Sequence, residues 1–79
     1  MFGFERITAD PKILGGKACI RGMRISAALL VNLIANGMSA AEIINEYPDL
    51  EEEDIREALR YAAWMAEDTI YIPRQAVAA

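Results

Sequence analysis

The segment "GMSAAEIINEYP", in the middle of the sequence, defines both ends of a short helix. Gly37 is typical of the position just after a helix, and Ser39 is a favourable N-cap for the next one. Glu42 stands three residues after Ser39, which is the spacing of a capping box. Tyr47 precedes a proline and is therefore disfavoured in the α region. The segment predicts a helix over about 40–47 that follows another helix after a tight turn.

Helical periodicity flanks this segment on both sides. Ser26 is a favourable N-cap for a first helix over about 26–36. The apolar stripe of this helix consists of Leu29, Leu30, Leu33 and Ile34. A third helix is predicted over about 51–67, because the acidic residues at its start suit the positive end of a helix dipole. The residues expected on its apolar face are Ile55, Leu59, Ala62 and either Ala63 or Met65.

The first 25 residues lack helical periodicity and predict a β-hairpin or ribbon over about 6–25. Short apolar runs alternate there with glycines, which adopt the positive φ that tight turns need. The residues expected to form structural turns, including the turn between the first two helices, are Gly15, Gly16, Gly22 and Gly37.

Together these elements predict a mainly α fold. We expect a three-helix, homeodomain-like helix-turn-helix bundle preceded by a short N-terminal β-hairpin or ribbon. The single domain is expected over residues 1–68, and residues 69–79 are expected to form a short strand and a flexible tail. Small three-helix bundles without any DNA function give the same pattern, so the order of the helices does not choose between the two classes.

The chain length limits how much core the fold has. A domain of 79 residues is near the size at which one core just offsets the entropy of ordering the chain, so we expect a homodimer. The longest apolar stretch, residues 27–35, is too short to span a bilayer. The N-terminus has neither the basic nor the apolar region of a secretory signal. We therefore expect a cytoplasmic protein that makes no contact with a membrane.

Charge is distributed unevenly along the sequence. Residues 1–24 contain five cations and two acids, a net charge of +3. Residues 25–79 contain three cations and ten acids, a net charge of −7. A basic end and an acidic end suit two different partners, or each other across a dimer.

The sequence contains few residue patterns suited to catalysis or to binding a cofactor. The stretch "GGKACIRG" fails as a Walker A phosphate loop, because Ala18 replaces the Ser/Thr and a strand-like run follows instead of a helix. Cys19 has no histidine in the chain to act as its base, and a single cysteine without histidine makes a poor metal site. We expect no enzyme, no cofactor, no metal site and no small-molecule substrate. A small buried residue in a strand is the expected role of Cys19.

The best candidates for contact with an anionic partner are Lys17, Arg21 and Arg24. In an extended segment Lys17 and Arg21 share a face, and this basic face suits either phosphates or the carboxylates of a partner. The alternative is a solvated strand edge kept soluble by its charges.

Arg56 and Arg60 on the third helix are weaker candidates. Glu53 and Glu57 lie three or four residues away on the helix, and we expect them to pair with these arginines on its surface. The acids at residues 51–54 suit the helix dipole and would repel DNA phosphates if this helix entered a groove.

The residues just described carry a resemblance to a known family. The chain resembles the domain-of-unknown-function family numbered 433, small prokaryotic proteins often described as antitoxin-like. The family pattern runs approximately Ile-x-x-Asp-Pro-x-Ile-x-Gly-Gly-Lys-Pro-x-Ile-x-Gly-Thr-Arg-Ile, followed by an apolar helix, Gly-x-Ser, a short helix ending in Tyr-Pro, and a helix with an acidic start. It corresponds here to "ITADPKILGGKACIRGMRI", "LIANGMSAAEIINEYPDL" and "EEDIREALRYA", over about residues 6–66.

Two positions depart from the family pattern. Ala18 stands where proline is usual and Met23 where threonine is usual, so any role of that hydroxyl is absent from this chain. The resemblance implies a homeodomain-like helical fold preceded by short strands. It also implies a partner similar to a PIN-type ribonuclease toxin.

Two functional hypotheses follow. The first is a non-enzymatic antitoxin of a toxin–antitoxin pair, which binds a PIN-like nuclease and, as a dimer, presents a helix-turn-helix to operator DNA. The second is a stand-alone helix-turn-helix DNA-binding regulator. The acidic start of the third helix makes the second hypothesis the less favoured.

Overall fold

The structure is a computed structural model, and it describes residues 1–69, with side chains for residues 1–67. Two short strands pair in antiparallel orientation, β1 (Ile7–Thr8) and β2 (Cys19–Ile20). Three helices follow in the order α1 (Ala27–Ala35), α2 (Ala40–Glu46) and α3 (Glu52–Thr69). The predicted fold class, three helices preceded by a short β unit, is therefore confirmed.

A tight hairpin connects β2 to α1. The Ile20 N–H donates to the Ile25 carbonyl oxygen at 2.9 Å, and the Met23 N–H donates to the Ile20 carbonyl oxygen at 2.8 Å. Arg21 and Gly22, the two central residues of this turn, have φ of 43° and 73°. Positive φ at both central positions matches the right-handed twist of the flanking strands, as in type I′ turns. We call residues 17–26 the basic hairpin.

The helix ends follow the capping chemistry of the sequence. The Ser26 side chain accepts a hydrogen bond from the Leu29 N–H at 3.0 Å at the start of α1. Ser39 and Glu42 form the reciprocal bonds of a capping box at the start of α2, at 3.1 and 2.8 Å. Gly37 has a φ of 98°, so the chain leaves α1 through a conformation that residues with a Cβ rarely adopt.

The core lies where the three helices meet the β unit. Its buried members are Ile7, Ile20, Ala27, Leu30, Ile43, Leu50, Ile55 and Ala58. Cys19, also buried, is a free thiol in β2, as expected of a small strand residue.

The apolar face of α3 differs from the prediction. Ile55 and Ala58 are buried and Tyr61 packs against the core, whereas Leu59 and Met65 are 38% and 42% exposed. Leu59 was expected on that face because it follows Ile55 by four residues. In the structure small Ala58 faces the core instead, and α3 therefore packs closely against α1.

The short strand predicted at the start of residues 69–79 falls almost entirely outside the described residues, and Thr69 belongs to α3. Among the described residues, no helix is long and apolar enough to cross a membrane.

Candidate functional site

Arg21 holds an unusual backbone conformation at the tip of the basic hairpin. A residue with a Cβ costs of order 1 kcal/mol at positive φ, so such a conformation persists where other contacts determine it. The contacts come from the side chain of Arg21, which points back to the start of α3.

Arg21 binds the carboxylate of Asp54 with two parallel hydrogen bonds. Arg21 Nε donates to Asp54 Oδ1 at 2.9 Å, and Arg21 Nη2 donates to Asp54 Oδ2 at 2.8 Å. Nη2 also donates to the Asp49 carbonyl oxygen at 2.9 Å. This bidentate geometry fixes the direction of the guanidinium plane as well as its distance. These hydrogen bonds therefore connect the tip of the hairpin to the α2–α3 loop and to α3.

Asp54 has further donors. Arg6 Nη1 donates to Asp54 Oδ1 at 2.8 Å and to Glu51 Oε1 at 2.7 Å. The Glu51 N–H donates to Asp54 Oδ2 at 2.8 Å, so the same carboxylate also caps α3. We call Arg6, Arg21, Glu51 and Asp54 the ion-pair network. Because Asp54 is fully buried, these bonds replace the water that its charge would otherwise require.

The hydrogen bonds of the network lower the pKa of Asp54 and raise the pKa of Arg21 and Arg6. Burial alone raises the pKa of Asp54, but hydrogen bonds from Arg21, the Glu51 N–H and Arg6 outweigh burial and lower this pKa to about 2. The hydrogen bond to Asp54 raises the pKa of Arg21, and the bonds to Glu51 and Asp54 raise the pKa of Arg6. All three groups are charged at neutral pH. The network is thus a permanent electrostatic connection between the N-terminal β unit and α3.

Backbone hydrogen bonds reinforce the same connection. The Arg21 N–H donates to the Arg6 carbonyl oxygen at 2.8 Å, and the Arg6 N–H donates to Glu57 Oε1 at 2.8 Å. Thr8 contributes a bond at the tip, because its Oγ1 accepts from the Gly22 N–H at 2.8 Å. These contacts give Arg21 a structural role, which separates it from the other cations of the basic hairpin.

Arg56 and Arg60 are paired on the surface of α3. Arg56 forms ion pairs with Glu52 at 3.1 Å and with Glu53, and Arg60 lies 3.7 Å from Glu53. Exposed pairs of this kind are weak and exchange readily with solvent, so they place both arginines on an acidic helix surface without fixing them.

Lys17, at the start of the basic hairpin, and Arg24, just after its turn, are exposed. Neither forms an ion pair with any residue that the structure describes. Lys12, in the loop before the hairpin, is likewise exposed and makes no ion pair within residues 1–67. The structure separates Lys17 from Arg21, because β2 ends at Ile20 and Arg21 turns toward α3. The exposed positive charge of the hairpin therefore resides on Lys17 and Arg24.

A surface groove of about 410 Å³ begins beside Lys17. It lies between the first residues of the basic hairpin, α1 and the middle of α3. Its lining includes apolar Ala28 and Val31, and polar Lys17, Asn32 and Tyr61. Lys17 is thus both an exposed cation and part of the groove, whereas Arg24 lies outside the groove lining.

Sequence reasoning missed Asp54, the most connected side chain of this region. It stood in a run of four acids that the helix dipole explained equally well. One signal distinguished it: Asp54 precedes Ala58 by four residues and so lies on the same helix face, next to Ile55. Arg6 gave no comparable signal, because its partners lie 45 and 48 residues away in the sequence.

Comparisons with known proteins agree with this architecture. The model of the family described as "Protein of unknown function (DUF433)" matches residues 7–62. The chain is also 36% identical over 58 residues to the "Uncharacterized protein y4eO" of Sinorhizobium fredii, across 73% of this chain and 26% of that protein. The chain thus spans about a quarter of the length of this curated relative.

A solved structure shares the fold. The crystal structure of a DUF433 member protein from Anabaena variabilis superposes with a TM-score of 0.72 at 33% sequence identity. The likeness covers 80% of this chain and 62% of that chain. Since the family model spans most of the sequence and the fold agrees, this chain belongs to the DUF433 family of proteins of unknown function.

Proposed function

We propose that this chain is a non-enzymatic, antitoxin-like protein that binds a PIN-like nuclease partner through the basic hairpin. The observation that carries the proposal is that some cations of this region are paired internally and others are not. Arg6 and Arg21 are held by Asp54, whereas Lys17 and Arg24 are exposed and make no ion pair with the described residues. Cations without an internal role are available to a partner.

The chemistry of the partner follows from this charge. A nuclease that holds catalytic metal ions presents a cluster of carboxylates, and the two exposed cations of the basic hairpin complement such a cluster. Complementary charge increases the rate of association and the specificity for the correct partner more than it increases affinity. Apolar residues beside Lys17 supply the uncharged contact that a stable complex also requires.

Operator DNA is a second, weaker target in this proposal, to be contacted by a homodimer. The exposed acids at the start of α3, Glu51 and Glu52, would face phosphates if that helix entered the major groove. A helix-turn-helix contact through α3 is therefore disfavoured, and any binding to DNA is expected to use Lys17 and Arg24.

Co-expression with the protein encoded by the adjacent gene tests the proposal. We expect the wild-type chain and a nuclease to elute as one complex in size-exclusion chromatography. The double variant Lys17→Glu/Arg24→Glu should lose the complex, because it places like charges against the carboxylates of the partner. Arg60→Glu is the matched control and should retain the complex, since Arg60 lies on the acidic surface of α3.

Two outcomes would contradict the proposal. One is the absence of any complex between the wild-type chain and a nuclease. The other is a complex that the double variant forms as well as the wild type does. If the chain instead binds DNA from its own promoter, with an affinity that falls steeply with salt and without a protein partner, the stand-alone regulator becomes the better hypothesis.

A further inference from the structure

The groove beside Lys17 combines an apolar lining with polar groups that have no partner within the described residues. Val31, Ala28 and Ala62 supply apolar surface on α1 and α3. The side chains of Asn32 and Tyr61 make no hydrogen bond within the described residues, and Lys17 makes no ion pair there. A concave apolar site with a few convergent polar groups is the usual form of a binding site.

The charge of Lys17 favours a negatively charged occupant of the groove. The Lys17 ammonium only donates hydrogen bonds, and the Asn32 amide and the Tyr61 hydroxyl can donate to the same occupant. Among the described residues that line the groove, none carries a carboxylate. The charge that complements this site is therefore a carboxylate placed next to apolar side chains.

We propose that the groove binds one short segment of the nuclease partner, in which an apolar side chain packs against Val31 and Ala28 while a neighbouring Asp or Glu pairs with Lys17. This inference rests on the proposed function and specifies where the partner is held. The groove adds an apolar contact to the exposed charge of Arg24 near the turn of the hairpin.

The acidic start of α3 from a second copy of this chain fits the groove less well than a partner segment with unpaired carboxylates. The acids there are already engaged: Glu51 with Arg6, and Glu52 and Glu53 with Arg56. Asp54 is fully buried. A carboxylate that is not already paired with an arginine forms the pair with Lys17 at lower cost.

Zero-length carbodiimide crosslinking of the purified complex tests the contact directly. The chain contains two lysines, Lys12 and Lys17, and neither forms an ion pair with the described residues, so each serves as the control for the other. We expect mass spectrometry to find Lys17 joined by an amide bond to an Asp or Glu of the nuclease, next to apolar residues. Lys12 should give no such crosslink.

Filling the groove tests the apolar part. Ala28→Trp should raise the Kd of the nuclease complex at least tenfold, whereas Ala35→Trp, on the same helix and outside the groove, should change it less than twofold. Lys17→Gln is a second test on an exposed residue that the fold does not need, and it should weaken the complex several-fold. Circular dichroism checks that each variant remains folded.

The outcomes separate the two proposals. If the wild-type complex forms and neither Ala28→Trp nor Lys17→Gln weakens it, the groove proposal is overturned and the proposed function stands. If the wild-type chain binds no nuclease, both are overturned. If the variants instead abolish self-association and leave the nuclease complex intact, the occupant is a second copy and the groove proposal is again overturned.

Discussion

Asp54 determines how the basic hairpin meets α3. Its buried carboxylate accepts hydrogen bonds from two arginines and from a backbone N–H, each within 2.8–2.9 Å. A buried charge is tolerated when bonds of this kind replace its hydration, and it becomes costly when one partner is removed. The consequence is that Asp54 contributes to stability through its partners and cannot be exchanged for a neutral residue of the same shape.

Replacement of Asp54 by asparagine should lower the free energy of unfolding by about 2 to 3 kcal/mol. The amide keeps the size of the side chain but leaves Arg6 and Arg21 without their counter-charge, and partial exposure of both arginines moderates the cost. Urea denaturation measures the change. Glu52→Gln is the control, because its exposed pair with Arg56 should contribute less than about 1 kcal/mol. Equal effects of the two substitutions would refute the special role of Asp54.

The lowered pKa of Asp54 predicts how stability depends on pH. Folding lowers this pKa from 3.8 to about 2, so the folded state favours the ionised form and its contribution to stability is fully present above pH 3.8. The contribution is lost as the pH falls from 3.8 toward 2, where the carboxylate takes up a proton. Unfolding free energies measured from pH 6 to pH 2 should therefore decline more steeply for the wild type than for Asp54→Asn. Parallel curves would contradict this assignment.

The basic hairpin contains both the arginine that binds buried Asp54 and the exposed cations. Its tip is a turn with positive φ at Arg21 and Gly22, and Arg21 is held there by Asp54. Fixing the tip also fixes the chain on both sides of it, where Lys17 and Arg24 lie.

A substitution at Gly22 should reveal how much the turn conformation contributes. A Cβ at this position would meet no atom within 4 Å, so Gly22→Ala tests backbone strain alone. With a φ of 73°, we expect a loss of about 1 kcal/mol in thermal or urea unfolding. Gly22→Asn should recover part of the loss, because asparagine tolerates this conformation better. A wild-type stability for Gly22→Ala would show that the turn relaxes freely.

The helices were predictable from sequence because their ends depend on local chemistry. Ser26, Ser39 and Glu42 form caps with residues three positions away, and Gly37 leaves α1 with positive φ. The ion-pair network was not predictable in the same way, since Arg21 and Asp54 are 33 residues apart in the sequence. Charge composition identified Arg21 as a candidate contact, and only the packing of the hairpin on α3 shows that its guanidinium is engaged internally.

At the level of the whole molecule, the uneven charge of the sequence produces one acidic surface and one basic surface. The acidic excess is concentrated on α2, α3 and the loop between them, where the arginines of α3 are paired. The basic excess is reduced internally by Asp54 and leaves Lys12, Lys17 and Arg24 exposed, with Lys17 lining an apolar groove. This arrangement fits a protein partner with exposed carboxylates better than it fits a DNA duplex approached by α3.

The proposed function requires that Arg24 contacts the partner while Arg21 stabilises the fold. Isothermal titration of the co-encoded nuclease with Arg24→Ala, paired with urea denaturation of Arg24→Ala and Arg21→Ala, tests it most directly. We expect Arg24→Ala to weaken nuclease binding at least tenfold with unchanged stability, and Arg21→Ala to lower the unfolding midpoint clearly. Unchanged binding by Arg24→Ala, or a wild-type unfolding midpoint for Arg21→Ala, would contradict it.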